Sequence, residues 1–511
     1  MAAGIFLSRI FGFIRQRVLS HYLGLSDGND ALTAALKIPN FLQNLLGEGV
    51  LSASFIPVYA RLRAEGRDEE ANHVANAVFG LLAAVTALVV LAGVLAAGPL
   101  TDLLAPGFAG AKRELTVRLV RLLFPGAGLL VCSAWCLGVL NSHRRFLLSY
   151  AAPVVWNLAI IVALALGTKS GDDAHIATAA ALGAVVGSAL QFGVQLPVVL
   201  RLLEEFRPRL EIRAPEVRQV LRSFGPVLVG RGVVQISGFV DSILASLVGQ
   251  GAVAALANAQ LLSTLPVSLF GMSVSAAALP AMSSATGSDA QVAEALRARV
   301  NGGLRRIAFF VVPSVAGFVA LGAVIVGTLF QTGRFGTADT TYVWGILAGS
   351  SVGLLATTMA RLYSSGFYAL RDTRTPLRYA VIRVVLTTVL GYLCAVPLPP
   401  LLGIDLRWGA AGLTASAGVA GWIEFLLLRR GLNRRIGESG LPTAVLARLW
   451  AAALVGALLG LGIQSLLPPV HPILRGGVVL LPFGIAYLIV THLLGLPEAR
   501  ALIERITPRR R

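Results

Sequence analysis

The sequence places charged and amide side chains inside long apolar segments, where they could bind an ion or a polar ligand. The clearest set lies in the segment 29–59, and its members are Asp30, Lys37, Asn40, Asn44 and Glu48. In an α-helix these five side chains fall within about 80° of the helix circumference. Lipid cannot satisfy such a face, so the pattern indicates a bundle interior or a water-filled cavity. A neutral structural network is the alternative, in which the carboxylates of this face pair with arginines of the first apolar segment.

The first apolar segment, SRIFGFIRQRVLSHYLG at 8–24, carries Arg9, Arg15 and Arg17. An arginine near the middle of a bilayer costs about 2.5–3.5 kcal/mol on insertion scales, so these charges indicate a helix that faces water or an anionic ligand. Arg17 and Lys37 can reach an interface through their flexible stems. Arg9 and Arg15 are therefore the stronger candidates for a ligand site.

Further polar side chains occur at membrane depth in the second half of the chain. Those in the segment 217–248 are Arg231, Gln235 and Asp241. Later segments carry two more arginines, Arg361 and Arg383. Glu424 lies near the inner end of its segment, where pairing with arginines of the next loop is the expected role.

The excess of arginine over carboxylate in these segments predicts an anionic ligand. Arginine forks match phosphate geometry, and a lipid that carries phosphate is the natural anion at a membrane. The sequence has no H-E-x-x-H, G-x-S-x-G or P-loop motif, and its six histidines are scattered. We therefore expect a binding or transport protein that is not an enzyme and uses no cofactor.

The composition is that of an integral membrane protein. Of the 511 residues, 56% are hydrophobic and 13% are charged, against about 25% charged residues in soluble domains. Fourteen apolar segments have the length that a helix needs to span about 30 Å of hydrocarbon. They are 2–24, 29–59, 75–104, 114–140, 149–168, 175–200, 217–248, 251–281, 303–330, 341–369, 377–400, 408–428, 445–467 and 474–495. The predicted fold class is an all-α polytopic membrane protein with about 14 transmembrane helices.

The net charge of +18 is concentrated on one side of the membrane. With the N-terminus in the cytoplasm, most loop arginines fall on the cytoplasmic side, including those of RDTRTPLR, RRGLNRR and the tail PRRR. This is the positive-inside pattern over an even number of spans, which places both termini in the cytoplasm. The basic loops predict contact with anionic membrane lipids, and nucleic acid is not an expected partner.

Two short matches suggest an internal repeat. LSASFIPV resembles VSAAALPA, and GVLNSHRRF resembles GFYALRDTR at nearly the same offset. The matches predict two six-helix lobes, 1–212 and 213–430, with 431–511 as an addition that holds two more helices and a basic tail. Transporters built from parallel repeats bind their substrate between the halves. Chance similarity between helices rich in alanine, serine and glycine is the alternative.

Seven motifs in order resemble the MurJ (MviN) family, which are bacterial flippases of the lipid-linked peptidoglycan precursor within the MATE-like (MOP) superfamily of exporters. The motifs are SRIFGFIRQ, DALTAALKIPNFLQNLLGEGVLSASFIPVYA, APGF, GVLNSHRRFLLSYAAPVVWN, QLP, LFQTGRF and GFYALRDTRTP. The resemblance implies fourteen helices, with two six-helix lobes around a central cationic cavity. It also implies a groove for the polyprenyl tail beside helices 13 and 14.

The resemblance further implies a substrate and a location. The substrate is lipid II, an undecaprenyl-pyrophosphate-linked disaccharide peptide, which alternating access would move to the outer leaflet of the bacterial cytoplasmic (inner) membrane. Wall-synthesis enzymes are candidate partners. In the family, the cavity arginines of helix 1 match Arg9 and Arg15, and a basic residue of helix 10 matches Arg361. The acidic residues of helix 2 match Asp30 and Glu48.

The sequence departs from the family pattern at two positions. Gln43 and Gln260 stand where well-studied members carry arginine, so the full arginine set does not transfer. Some members bind sodium between helices 7, 11 and 12, and Asp241 matches the helix 7 carboxylate, although helix 11 has no acid here. The predicted substrate-binding set is Arg9, Arg15, Asp30, Lys37, Asn40, Asn44, Glu48, Arg231, Gln235, Gln260 and Arg361.

Two other functions fit parts of the pattern. One is export of another undecaprenyl-linked glycan or of a drug by the same superfamily, although a cation-drug antiporter should have acids as the dominant charges of its cavity. The other is a membrane scaffold for wall-synthesis enzymes that transports nothing, which the two missing arginines favour. A scaffold would tolerate the loss of Arg9 and Arg15, and a flippase would not.

Overall fold

The computed structural model describes residues 2–167, 171–203, 205–284 and 288–506. Nearly all of this described chain is helical, and its β-type pairing is limited to an isolated bridge between Thr332 and Phe335. The predicted all-α class is therefore confirmed.

The chain divides into two compact units. The first comprises Met1–Ala254 with Thr332–Phe335, and the second comprises Ala255–Gln331 with Gly336–Arg511. The helices of the first unit are α1 (Ala2–Leu23), α2 (Asp27–Leu46), α3 (Glu48–Ala64), α4 (Asp68–Leu95), α5 (Ala97–Leu104), α6 (Gly110–Ser142), α7 (Phe146–Gly167), α8 (Asp173–Leu202) and α9 (Pro215–Ser246). The predicted lobes 1–212, 213–430 and 431–511 stay a prediction.

The second unit begins within α10. Its helices are α10 (Ala252–Pro266), a π-helix (Val267–Met272), α11 (Ser273–Ser283), α12 (Asp289–Ala320), α13 (Gly322–Phe330), α14 (Thr337–Ala369), α15 (Arg374–Ala395), α16 (Leu398–Leu401), a short 3₁₀ helix (Leu406–Trp408), α17 (Gly409–Ile436), α18 (Thr443–Leu466), α19 (Pro472–Leu493) and α20 (Pro497–Ile506).

The helices coincide with the predicted apolar segments. Each of the fourteen segments falls on one helix or on consecutive helices. In the described chain, eleven helical stretches are long and apolar enough to cross a membrane. The segments 2–24, 29–59 and 217–248 are not among these eleven, and all three carry charged residues singled out above. A multi-pass membrane protein is therefore established, while the count of fourteen spans stays a prediction.

The segment 29–59 forms two helices because the chain breaks at Gly47. The backbone there has φ −96° and ψ −133°, and its N–H donates to the Gln43 carbonyl oxygen at 2.9 Å. A methyl group at Gly47 would lie 2.2 Å from that same oxygen. Only a residue without a Cβ fits this junction.

The core of the first unit is built around α6, which contacts α2, α3, α4 and α8. Trp135 is fully buried, and its indole N–H donates to the Ala75 carbonyl oxygen at 3.1 Å. α8 approaches α7 closely, because a methyl group at Gly183 would lie 2.5 Å from the Ala163 Cβ. Small residues allow such close packing of helices in a membrane.

In the second unit, small residues allow the same close packing between α14 and α17. A methyl group at Gly353 would lie 2.3 Å from the Gly418 Cα, so the two helix backbones are nearly in contact. α15 packs on α17 as well, and α12 packs on α14. This close packing places side chains of α14, α15 and α17 within reach of one another.

The two units contain the same turn, after α6 in the first and after α14 in the second. Arg144 has φ 58° and Arg371 has φ 59°, both in the left-handed region that non-glycine residues seldom adopt. The following N–H groups, of Arg145 and Asp372, each donate to the carbonyl oxygen five residues earlier. The two turns are one position out of register in the predicted alignment, which sets Arg144 opposite Asp372. The internal repeat therefore stays a prediction.

Candidate functional site

The side chain of Arg15 on α1 packs against an aromatic ring of the first unit. α1 packs against α7, which brings the Arg15 guanidinium carbon to 4.9 Å from the ring centroid of Trp156. A cation over an indole ring gains about 0.5–2 kcal/mol, more where water is excluded. The Arg15 Nε is buried and has no hydrogen-bond partner in the part of the chain that the structure describes. A buried donor without a partner indicates a place for an acceptor, such as a phosphate oxygen.

A crevice beside Trp156 brings one predicted residue to the same region. It is bounded by α2, α6, α7 and α8, and its polar lining includes Asn40 and Ser188. Asn40 and Asn44 are both exposed on α2, as is Arg9 on α1. These three side chains therefore lie on the surface of the first unit, and their role in ligand binding stays a prediction.

Asp30 lies in a different environment from the rest of its predicted face. It is fully buried, and its Oδ2 is 2.6 Å from the Nζ of Lys112 on α6. The N–H groups of Gly251 and Ala254 donate to its two oxygens at 2.7 and 2.9 Å. In the alternative of a neutral network, Asp30 pairs with an arginine of α1, whereas its oxygens here accept from Lys112 and from the backbone at the start of α10.

The contacts of Asp30 explain its burial. A buried carboxylate is tolerated when it is paired and hydrogen-bonded, and here it accepts one ammonium and two backbone N–H groups. Lys112 also contacts the Asp27 carboxylate at 2.8 Å and lies over the Phe108 ring, 4.3 Å from its centroid. Asp30 therefore joins the starts of α2, α6 and α10 and offers no exposed oxygen to a substrate.

Lys37 and Asp241 lie within electrostatic range of each other, between α2 and α9. The Lys37 ammonium supplies positive charge beside this carboxylate, which argues against a sodium ion there. Among the described residues, no group of three or more His, Cys, Asp or Glu side chains could hold a metal ion. Sodium binding at Asp241 stays a prediction that this geometry disfavours.

For four predicted residues the structure gives little geometry that bears on the site. The side chains of Glu48, Arg231 and Gln235 lie outside the described residues. Gln260 is half-buried on α10 in the second unit. Their roles in substrate binding stay predictions.

Charged residues from three helices of the second unit meet at one place. The Arg383 Nε on α15 is 3.4 Å from the Glu424 Oε2 on α17. Arg361 on α14 lies within electrostatic range of both groups. The expectation that Glu424 pairs with arginines of the following loop is therefore wrong, because its partner comes from a neighbouring membrane helix.

Comparison with known proteins decides the family. The model of the family described as "Lipid II flippase MurJ" matches residues 19–473. The chain belongs to the MurJ family. The match begins after Arg9 and Arg15, so the roles of these two arginines stay predictions.

Relatives named for the same activity span most of the chain. A lipid II flippase MurJ from Burkholderia cenocepacia is 30% identical over 436 residues, which are 84% of this chain and 82% of the relative. A probable lipid II flippase MurJ from Rhizobium meliloti is 31% identical over 481 residues, 90% of this chain and 85% of the relative. The likeness to the MurJ family is therefore not restricted to one unit.

Solved structures show the same fold. A lipid II flippase MurJ in an inward closed conformation aligns with a TM-score of 0.80 at 22% identity, covering 98% of this chain and 99% of the other. An inward-facing multidrug resistance MATE family transporter of the MOP superfamily aligns with a TM-score of 0.64 at 18% identity, covering 84% and 95%. The predicted MATE-like fold of the MurJ family is confirmed.

In this MurJ-family chain, the sequence did not reveal three contacts of the charged residues, two in the first unit and one in the second. Lys112 is separated from Asp30 by 82 residues, and nothing in its local pattern marks it as a partner. Trp156 occurs in an apolar run where an aromatic residue is ordinary. The Arg383–Glu424 pair joins two helices whose register cannot be obtained from one sequence.

Proposed function

We propose that this protein is a flippase that moves lipid II from the inner to the outer leaflet of the bacterial cytoplasmic membrane. The observation that carries the proposal is membership of the MurJ family over residues 19–473. The site supports it physically, since the Arg15 Nε is a buried donor without a hydrogen-bond partner in the described part of the chain. Guanidinium groups bind phosphate oxygens strongly, and lipid II carries two phosphates.

In this proposal the headgroup enters a cationic cavity while the polyprenyl tail stays in lipid, and alternating access carries it across. Arg9 and Arg15 bind the phosphates. The other predicted side chains complete the polar surroundings, and these are Lys37, Asn40, Asn44, Glu48, Arg231, Gln235, Gln260 and Arg361. A potential negative inside contributes about 2.3 kcal/mol per charge per 100 mV to outward movement of an anion. This bias acts without a coupled ion.

The proposal includes a location and partners. Both termini lie in the cytoplasm, and the basic loops contact anionic lipids of the inner leaflet. Wall-synthesis enzymes, which consume lipid II on the outer face, are the proposed protein partners.

The test is complementation of bacteria depleted of their own lipid II flippase. We expect the wild-type chain to restore growth and an Arg9→Ala/Arg15→Ala double variant of equal abundance to permit lysis. A matched control is Arg207→Ala/Arg213→Ala, which removes two exposed arginines of the segment between α8 and α9 and should rescue.

Each result has a distinct meaning. Rescue by the Arg9→Ala/Arg15→Ala variant would show that these arginines are not the phosphate ligands. Failure of the wild type, with its abundance in the membrane verified, would favour export of another lipid-linked glycan or a scaffold function.

A further inference from the structure

The charged cluster of the second unit consists of Arg361, Arg383 and Glu424. Arg383 and Glu424 form an ion pair at 3.4 Å, in which the glutamate side chain is 10% exposed and the arginine side chain 33%. Arg361 is exposed and has no ion pair within 4 Å in the described part of the chain. The cluster therefore holds two guanidinium groups and one carboxylate, with a net charge of one positive unit.

The cluster lies well inside the membrane helices. At 1.5 Å per residue, Arg361 is about 12 Å along α14 from Ala369, and Arg383 is about 14 Å along α15 from Arg374. Both of these helix ends border the same turn, residues 370–373. Intramembrane charges are costly and usually serve a ligand or an ion pathway.

The surface around Arg361 is polar along one helix face. Thr357, Ser364 and Tyr368 follow the same line of α14 at helical spacing, and none of them is fully buried. Arg383 instead occupies the side of α15 that carries buried Pro376 and Thr387 and packs toward α17. The exposed guanidinium of Arg361 on α14 therefore lies within electrostatic range of the guanidinium of Arg383 on α15, which Glu424 holds.

The net positive charge of the cluster favours binding of an anion. One carboxylate neutralises one guanidinium, so an anionic ligand would complete the charge balance of the cluster. A phosphate can bind two guanidinium groups at once through separate oxygens. Such a ligand must compete with Glu424 for Arg383. Its apparent affinity is its intrinsic affinity multiplied by the fraction of molecules in which Arg383 is released.

We propose that Arg361 and Arg383 form a phosphate subsite in the second unit and that Glu424 is a positioning residue that holds Arg383 until the phosphate arrives. The inference rests on the proposed function, because the phosphate is that of the lipid II headgroup. Glu424 thereby keeps a second arginine inside the membrane in the empty state, where an unpaired charge would be costly.

The experiment measures binding to purified protein in nanodiscs with three probes: lipid II, undecaprenol as a tail without phosphate, and free pyrophosphate as a competitor. Glu424→Gln should tighten lipid II binding by about threefold to tenfold, because Arg383 is released. Arg383→Gln should weaken it by about the same factor. Neither variant should change binding of undecaprenol, and free pyrophosphate should compete less well against lipid II in Arg383→Gln than in the wild type.

The opposite signs separate this subsite from a structural ion pair. If the pair only stabilises the fold, both variants lower thermal stability and change binding in the same direction. Glu498→Gln is the matched control, because it breaks the Arg305–Glu498 pair of the same unit, at 3.0 Å, outside the proposed subsite. It should leave lipid II binding unchanged.

Two further results complete the design. If Glu424→Gln does not fold, Glu424→Asp retains the charge but withdraws the carboxylate from Arg383, and it should tighten binding to a smaller extent. The subsite alone is overturned if Arg9→Ala/Arg15→Ala weakens lipid II binding and neither Glu424 variant tightens it. No binding of lipid II by the wild type overturns the proposed function itself.

Discussion

At the scale of single residues, His143 shows how the fold sets a protonation state. It follows α6, and an Arg63 guanidinium N–H donates to its Nδ1 at 2.8 Å while the Tyr59 hydroxyl lies 3.0 Å from its Nε2. Because a guanidinium can only donate, Nδ1 accepts and Nε2 carries the proton. Burial, with the charge of Arg63 adding to it, lowers the pKa of His143 from 6.5 to about 4.

This shift predicts a pH dependence of stability. An unfolded histidine binds a proton below about pH 6.5, whereas the folded one resists it until about pH 4, so the folded state loses stability as pH falls through this window. We expect the difference in thermal midpoint between wild type and His143→Gln to be constant above pH 7 and to shrink toward pH 4. The measurement is thermal unfolding in detergent from pH 4 to 8.

The control for this prediction is His175→Gln, which changes an exposed histidine at the start of α8. Its difference from the wild type should vary less with pH than that of His143→Gln. Parallel pH curves for wild type and His143→Gln would show that the neutral imidazole does not contribute to stability in this window.

At the scale of elements, the break between α2 and α3 controls where the polar face of α2 ends. Gly47→Ala would place a methyl group 2.2 Å from the Gln43 carbonyl oxygen and 3.2 Å from the Ala134 Cβ. Because the oxygen belongs to the backbone, the junction must shift, and we expect a loss of about 1–3 kcal/mol in the free energy of unfolding. The measurement is denaturant or thermal unfolding, together with the complementation assay.

Gly12→Ala is the matched control for this junction. Nothing lies within 4 Å of a methyl group at Gly12 in the middle of α1, and alanine favours a helix by up to about 1 kcal/mol. Gly12→Ala should therefore be neutral or stabilising. Equal effects of the two substitutions would mean that the break at Gly47 is not a strained junction.

The elements also show which features the sequence could predict. Long apolar runs located the helices, because a membrane helix must be apolar over a length that the bilayer sets. The break at Gly47 could not be located, since it depends on the close approach of a backbone oxygen and of Ala134. The partners of Asp30 could not be located either, because the start of α10 lies more than 200 residues away.

At the scale of the whole molecule, the distribution of arginine predicts how the helices are oriented in the membrane. The turn after α3 carries Arg61, Arg63 and Arg67, and the turn after α6 carries Arg144 and Arg145. The loop before α6 lies at the opposite end of that helix. Basic loops remain in the cytoplasm, so the two ends of α6 should differ in accessibility.

Two exposed alanines test this orientation, Ala64 at the end of α3 and Ala109 before α6. In a chain whose Cys132, Cys136 and Cys394 are replaced by alanine, we expect a membrane-impermeant maleimide to label Ala109→Cys in spheroplasts and to leave Ala64→Cys unlabelled. Inverted membrane vesicles should give the reverse, because they expose the cytoplasmic face. If spheroplasts instead label Ala64→Cys alone, the arginine-rich turns lie outside, and the predicted orientation of the helices is wrong.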